Sequence, residues 1–197
     1  QLAGSDGLTK LGTGRVILSG SNTYSGATVV DAGVLQANSS TAFGNTSGIS
    51  LTAKAAGTGT AAGTALQLAN GVTINKSITL NSVNVGTLRT ALVSFSGNNE
   101  WSGGVTLQGD GLTRFNLFNN TTGNLTVSGS ITGASYTGTL VLGGNTVGNF
   151  ITGTLSLNGT ATIQKADPGT WTISSTGNAW GVTFLSQDTL VLGAHDA

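Results

Sequence analysis

The chain contains no cysteine and no methionine, one proline and one histidine, and charged residues fill only 7% of its 197 positions. Each shortage closes off some chemistry. Without Cys there are no disulfides, thiolate metal ligands or thiol nucleophiles, and without Met there is no thioether oxidation switch. The single histidine, His195, stands beside Asp196 with no second imidazole to share a metal, and it is expected to be a surface residue. Seven basic and seven acidic residues cancel, so no positive field exists for nucleic acid or an anionic membrane. No run of 18 apolar residues, signal peptide or lipidation motif occurs. The stretch is therefore expected neither to insert into a membrane nor to carry its own export address.

Small and hydroxylated residues are abundant instead. Gly, Thr, Ser and Asn make up just over half the chain. Disordered chains combine low hydrophobicity with high charge, but here 38% of residues are hydrophobic and must be buried. Val, Ile, Leu and Thr suit short strands, and Gly and Asn suit corners. The composition reads as folded and all-β, and the absence of net charge favours self-association.

Short alternating windows support this: 15–19, 27–36, 72–80, 124–132, 139–144, 154–164 and 170–174, each with Gly, Asn or Asp close by. The Ala-rich stretch 53–70 is interrupted by glycines that would cost a helix roughly 1 kcal/mol each, so it reads as a loop or insertion. Essentially no helix is expected.

Internal repeats define the architecture. At an offset of 77, Ser19, Gly20, Asn22, Ser25 and Gly26 meet Ser96, Gly97, Asn99, Ser102 and Gly103, and Tyr24 falls on Trp101. Near an offset of 155, Lys10, Gly14, Ser19 and Leu35 meet Lys165, Gly169, Ser174 and Leu190. With small gaps, Asn22, Tyr24 and Gly26 meet Asn178, Trp180 and Gly181. Repeat copies thus lie near 8–44, 85–122 and 163–197. Strands this short cannot bury a face alone, so residues 1–197 are expected to form a single β-solenoid. Val16, Leu18, Val29 and Leu35 would point inward into an apolar column, and outward Ser and Thr would stack in ladders.

Residues 8–44, LTKLGTGRVILSGSNTYSGATVVDAGVLQANSSTAFG, resemble the passenger-associated repeat of bacterial autotransporters. The resemblance implies a right-handed parallel β-helix in an extracellular, cell-surface protein, as part of a longer repetitive polypeptide. The third copy departs from the pattern, with Pro168 in its Gly-rich entry and Asp188 where Gly33 would match. These departures bear on the turn geometry there and not on the fold.

Candidate functional residues follow from the repeat. Tyr24, Trp101 and Trp180 are aromatic corners that either stack on glycans or shield strand ends. Asn22, Gly26, Asn99, Gly103, Asn178 and Gly181 are the corner turns. Polysaccharide-cleaving enzymes on this architecture need paired carboxylates. Asp6, Asp31, Glu100, Asp110, Asp167, Asp188 and Asp196 are the only acids, and no catalytic or metal residue is assigned among them. No cofactor is expected. Calcium is the one ion for which Asp, Asn and Gly carbonyls offer donors, but neither the G-G-x-G-x-D nor the EF-hand pattern occurs. Thr-x-Thr pairs at 137/139, 152/154, 160/162 and 170/172 suggest a flat ice-binding array, which their uneven spacing opposes.

The reading is a non-enzymatic structural module of a surface fibre, sheath or adhesin stalk, able to assemble into filaments. A carbohydrate-binding adhesin module is the alternative, and a polysaccharide-active enzyme comes third. Expected partners are other copies or adjoining repeats and surface polysaccharide, with no nucleic acid and no membrane insertion.

Overall fold

A computed structural model describes residues 1–53, 64–82, 90–109 and 114–193. Asp110, His195 and Asp196 lie outside the described residues, as do parts of the second and third repeat copies. The described chain is strand, turn and bend without helix. Its twenty-one strands, β1 to β21 in chain order, stack into three parallel sheets that form the faces of a solenoid.

Face I has eight strands: β2 (Arg15–Leu18), β4 (Val34–Ala37), β6 (Ala65–Ala69), β9 (Thr90–Ser96), β12 (Arg114–Thr122), β15 (Thr139–Gly144), β18 (Thr162–Lys165) and β20 (Val182–Leu185). Face II has six: β7 (Thr73–Ile74), β10 (Asn99–Trp101), β13 (Leu125–Val127), β16 (Asn149–Ile151), β19 (Trp171–Ile173) and β21 (Leu190–Leu192). Face III has seven: β1 (Leu8–Lys10), β3 (Thr28–Val30), β5 (Ile49–Ala53), β8 (Ile78–Ser82), β11 (Val105–Gln108), β14 (Ile131–Gly133) and β17 (Leu155–Leu157). The chain runs from face I to II to III and back, so every strand pairs with its equivalent one coil away. Parallel crossovers of this kind are right-handed in nearly all folds, which is the hand expected of this coil. Eight layers at the usual strand spacing make a stack about 33 Å tall.

Packing follows from strand alternation. On face I, Val16, Leu35, Leu66, Leu92, Leu117, Leu142, Lys165 and Leu185 occupy one register column. The five central leucines are fully buried, each contributing about 1.5–3 kcal/mol. Val16 shares their orientation but is 40% exposed, because no strand lies beneath β2. Val29 does not join the column. It pairs with Thr9 and Ser50 on the outer surface, while Thr28 and Val30 point inward. The outer ladder is present on face III, where Ser50, Thr79, Thr106, Thr132 and Ser156 stack one per coil.

Coil length is uneven. From Arg15 to Val34 is 19 residues, and from Val34 to Ala65 is 31. Connections absorb the difference, so the outer hydroxyls keep register despite irregular sequence spacing. Several windows that read as one strand hold two. In 27–36, the chain leaves β3, turns at Gly33 (φ 69°) and enters β4 on the next face. Windows 72–80, 124–132 and 154–164 divide the same way. The stretch 53–70, read as loop, contains β6.

Counting corners places the repeat copies. Asn22 and Asn99 stand at equivalent positions on the face II side, three coils apart. The third copy is displaced by one face. Lys10 ends β1 on face III, but Lys165 ends β18 on face I. Asn178 follows β19 and lies against β17 at the face III position, where Ala179 bridges Ser156. Its turn geometry is nonetheless kept. Asp167 and Asp188 adopt left-handed φ of 66° and 52°, as Gly12 and Gly33 do at 70° and 69°. Asp enters this region more readily than most residues.

Candidate functional site

The repeated corner is built from alternation on face II. In β10 the side chains of Asn99 and Trp101 point inward, and Gly103 follows at the bend into face III. At such a corner a strand's first amide loses its ladder partner, and an inward asparagine replaces it. Asn99 Oδ1 accepts the Val72 amide of the coil below at 2.9 Å. Its Nδ2 donates toward Leu68 O (3.3 Å), Ser94 Oγ (2.8 Å), Ser96 O (2.9 Å) and Gly97 O (3.0 Å). Asn22 works alike, accepting from Leu2 N at 2.7 Å below and donating to Ala42 O at 2.6 Å above. Asn178 accepts from Leu155 N at 2.9 Å and donates to Ser175 O.

Asn149 is a fourth member of the set that the repeat comparison missed. It accepts from Leu125 N at 2.9 Å and donates to Thr146 O at 2.8 Å and Thr170 O at 3.2 Å. The signal was present as Asn149-x-Ile151-x-Gly153, with isoleucine where the other copies have an aromatic ring.

The corner glycines leave no room for a side chain. A Cβ on Gly103 would lie 2.1 Å from Lys76 O, and one on Gly129 would lie 1.9 Å from Gly103 O. Gly26 is closed by Gly7 N at 2.3 Å, and Gly181, on the displaced third copy, by Gly159 O at 2.4 Å.

Two of the three candidate aromatics are core residues. Trp101 is 0% exposed and Tyr24 3%, so neither ring offers a face to a sugar. Trp101 stacks between Ile74 and Val127. Trp180 is half-buried against the core, and its Nε1 donates to Thr183 Oγ1 at 2.9 Å. The Trp101 indole N–H is buried with no hydrogen-bond partner among the described residues, whereas Trp171 Nε1 donates to Gly143 O at 3.0 Å. Trp171→Phe is therefore expected to cost about 1–3 kcal/mol more than Trp101→Phe in chemical denaturation, because only the former leaves a carbonyl without its donor. Equal losses would contradict this.

Tyr24 ends a buried hydroxyl chain. Thr46 Oγ1 faces two carbonyls, Gly26 O at 2.7 Å and Gly48 O at 3.1 Å, and its proton goes to these acceptors, so Thr28 donates to Thr46 (3.1 Å) and Tyr24 donates to Thr28 (2.7 Å). Burial pushes the Tyr24 phenol above its ordinary range. The folded state thus holds this proton more tightly than the unfolded state. The associated stability is complete below pH 10 and declines as pH rises through the raised value. At pH 7 Tyr24→Phe is expected to lose about 0.5–1.5 kcal/mol for the missing bond. That gap should shrink between pH 10 and 12 in denaturant titrations.

Among the described residues the acids do not gather into a metal-binding group. Asp31 accepts from Thr52 Oγ1 and Glu100 from Ser128 Oγ. The Asp167 carboxylate accepts from the Gly144 amide at 3.2 Å and that of Asp188 from Thr189 Oγ1 at 2.9 Å, and both act on the Lys165 ammonium through their charge. Burial holds this ammonium below the ordinary lysine range, against the upward pull of the Asp188 and Asp167 carboxylates. No group of three or more His, Asp and Glu suited to a metal occurs among the described residues.

Residues 8–37 match the family profile described as passenger-associated-transport-repeat, covering β1 to β4. No curated protein and no solved structure matches the chain. The matched repeat and the parallel solenoid together fit an autotransporter passenger-type surface module.

Proposed function

We propose that this solenoid is a structural module of an extracellular surface protein, a segment of fibre, sheath or stalk without catalytic activity. The observation that carries the reading is the direction of the repeated residues. Asn22, Asn99, Tyr24 and Trp101 face inward, and their polar atoms and surfaces join one coil to the next. A motif written to bind a ligand would leave these groups open. Stacked ladders and an apolar column give stiffness without disulfides, and the low charge permits contact between copies.

Electron microscopy across a concentration series tests filament assembly. Ordered filaments or lateral bundles are expected, and dispersed monomers at every concentration would remove that part of the reading. The adhesive alternative rests on Trp180, the one repeat aromatic left partly open, and on Phe150, 37% exposed on the outside of face II. Retention on immobilised polysaccharides decides between them. Equal retention by the wild type and Trp180→Ala is expected, and loss of retention with an intact fold would favour adhesion.

A further inference from the structure

Lys10 and Lys165 stand 155 positions apart, on different faces, and make the same three hydrogen bonds. Lys10 Nζ donates to Leu11 O (2.7 Å), Gly12 O (2.6 Å) and Ala32 O (3.0 Å). Lys165 Nζ donates to Ala166 O (2.9 Å), Asp167 O (2.6 Å) and Gln187 O (3.4 Å). Every acceptor of the second set is also displaced by 155. In each case two carbonyls belong to the lysine's own turn, and the third belongs to the coil above. Both side chains are buried. An ammonium has three donors and no acceptor, so each cradle satisfies it fully.

Apolar packing alone does not set the alignment of one coil on the next. A slip of one residue would turn every side chain over, but a slip of two preserves the inward and outward sets. In the face I column, Lys165 follows Leu142 and precedes Leu185. A two-residue slip between β18 and β20 would still keep Thr183 and Leu185 on the inner side, yet it would carry the Gln187 carbonyl away from the ammonium.

We infer that Lys10 and Lys165 are register pins: each buried ammonium locks its own turn to the coil above and excludes the two-residue slip. The cradle consists only of backbone carbonyls, so it works on any face. This accounts for a motif that recurs one face further round with its geometry intact. The residue two positions after each lysine, Gly12 or Asp167, has a left-handed φ that folds the turn back over the ammonium. The role is independent of whether the module is structural or adhesive.

The chain's lack of cysteine allows register to be read with introduced thiol pairs. Thr162 lies opposite Val182, so T162C/V182C reports the native alignment and T162C/F184C the slipped one. With Lys165 present, only the first pair is expected to oxidise readily. In Lys165→Met, which keeps an unbranched side chain one atom shorter and removes the donors, the slipped pair should close at least tenfold faster than in the parent. Exchange of the Ser186 amide, bonded to Lys165 O at 2.9 Å, should accelerate, while that of Asp31, bonded to Lys10 O, should not. Lys10→Met should reverse this pattern of exchange. An unchanged oxidation pattern in Lys165→Met would overturn the inference, and so would loss of the whole fold measured by circular dichroism.

Discussion

Gly103→Ala is expected to destabilise the protein by about 3 kcal/mol, the upper part of the range for overpacking a closed site. In a chain of this size that corresponds to a melting temperature lower by roughly 6–12 °C. The cause is a backbone-to-backbone contact. The added methyl would lie 2.1 Å from Lys76 O, 2.4 Å from its carbonyl carbon and 2.6 Å from its amide nitrogen, and no side chain can rotate away to relieve it. The next residue supplies the control. A Cβ on Gly104 meets nothing closer than 4.0 Å, so Gly104→Ala should be neutral or gain about 0.4–1 kcal/mol by restricting the unfolded chain. Opposite behaviour of two adjacent glycines cannot arise from helix or strand propensity. Equal melting temperatures would show that the coils are not in the contact described.

Replacing Asn99 should have a comparable effect. Asn99→Leu keeps the approximate volume but leaves the Val72 amide without its acceptor and removes the donor that faces Leu68 O, Ser94 Oγ, Ser96 O and Gly97 O. A buried polar group left unsatisfied costs about 1–3 kcal/mol, so a loss of about 3 kcal/mol is expected. Asn99→Asp is the sharper variant. Its carboxylate can still accept from Val72 but sits against three carbonyls with nothing to donate. Protonation restores a donor, so the folded state of this variant binds the proton more tightly than the unfolded state. Its stability deficit should therefore shrink as pH falls from 7 toward 4, judged against the wild type by denaturant midpoint at each pH. A pH-independent deficit would mean that the side chain does not address those carbonyls.

The solenoid was legible in the sequence because its causes are local. Short alternating strands, glycine and asparagine corners and the match of Asn22-x-Tyr24 to Asn99-x-Trp101 each reflect one turn of chain. What was hidden depends on counting coils. Coils of 19 and 31 residues contribute equally to the stack, and the length of a connection carries no mark of which face follows it. That is why the third copy aligned by residue yet lies one face away. Strand parity was read correctly for Leu18 and Leu35 but not for Val29, because the turn at Gly33 separates β3 from β4 and resets the alternation between them. The aromatic corners stood out as rare residues. Their burial was not legible, since it depends on Ile74 and Val127 from neighbouring coils. Lys10 and Lys165 appeared only as matching positions. Their common role needed Ala32 and Gln187, 22 residues on in each case, to be seen above them.

The central claim is that the repeated corners are closed joints between coils and not open sites. Residue-resolved hydrogen exchange of the native protein tests it most directly. The amides bonded across the corners should be among the slowest in the molecule, including Val72, Ser102, Leu125, Ser128 and Thr152. Exchange at those amides as fast as in the exposed bend at Thr176 and Gly177 would contradict the account.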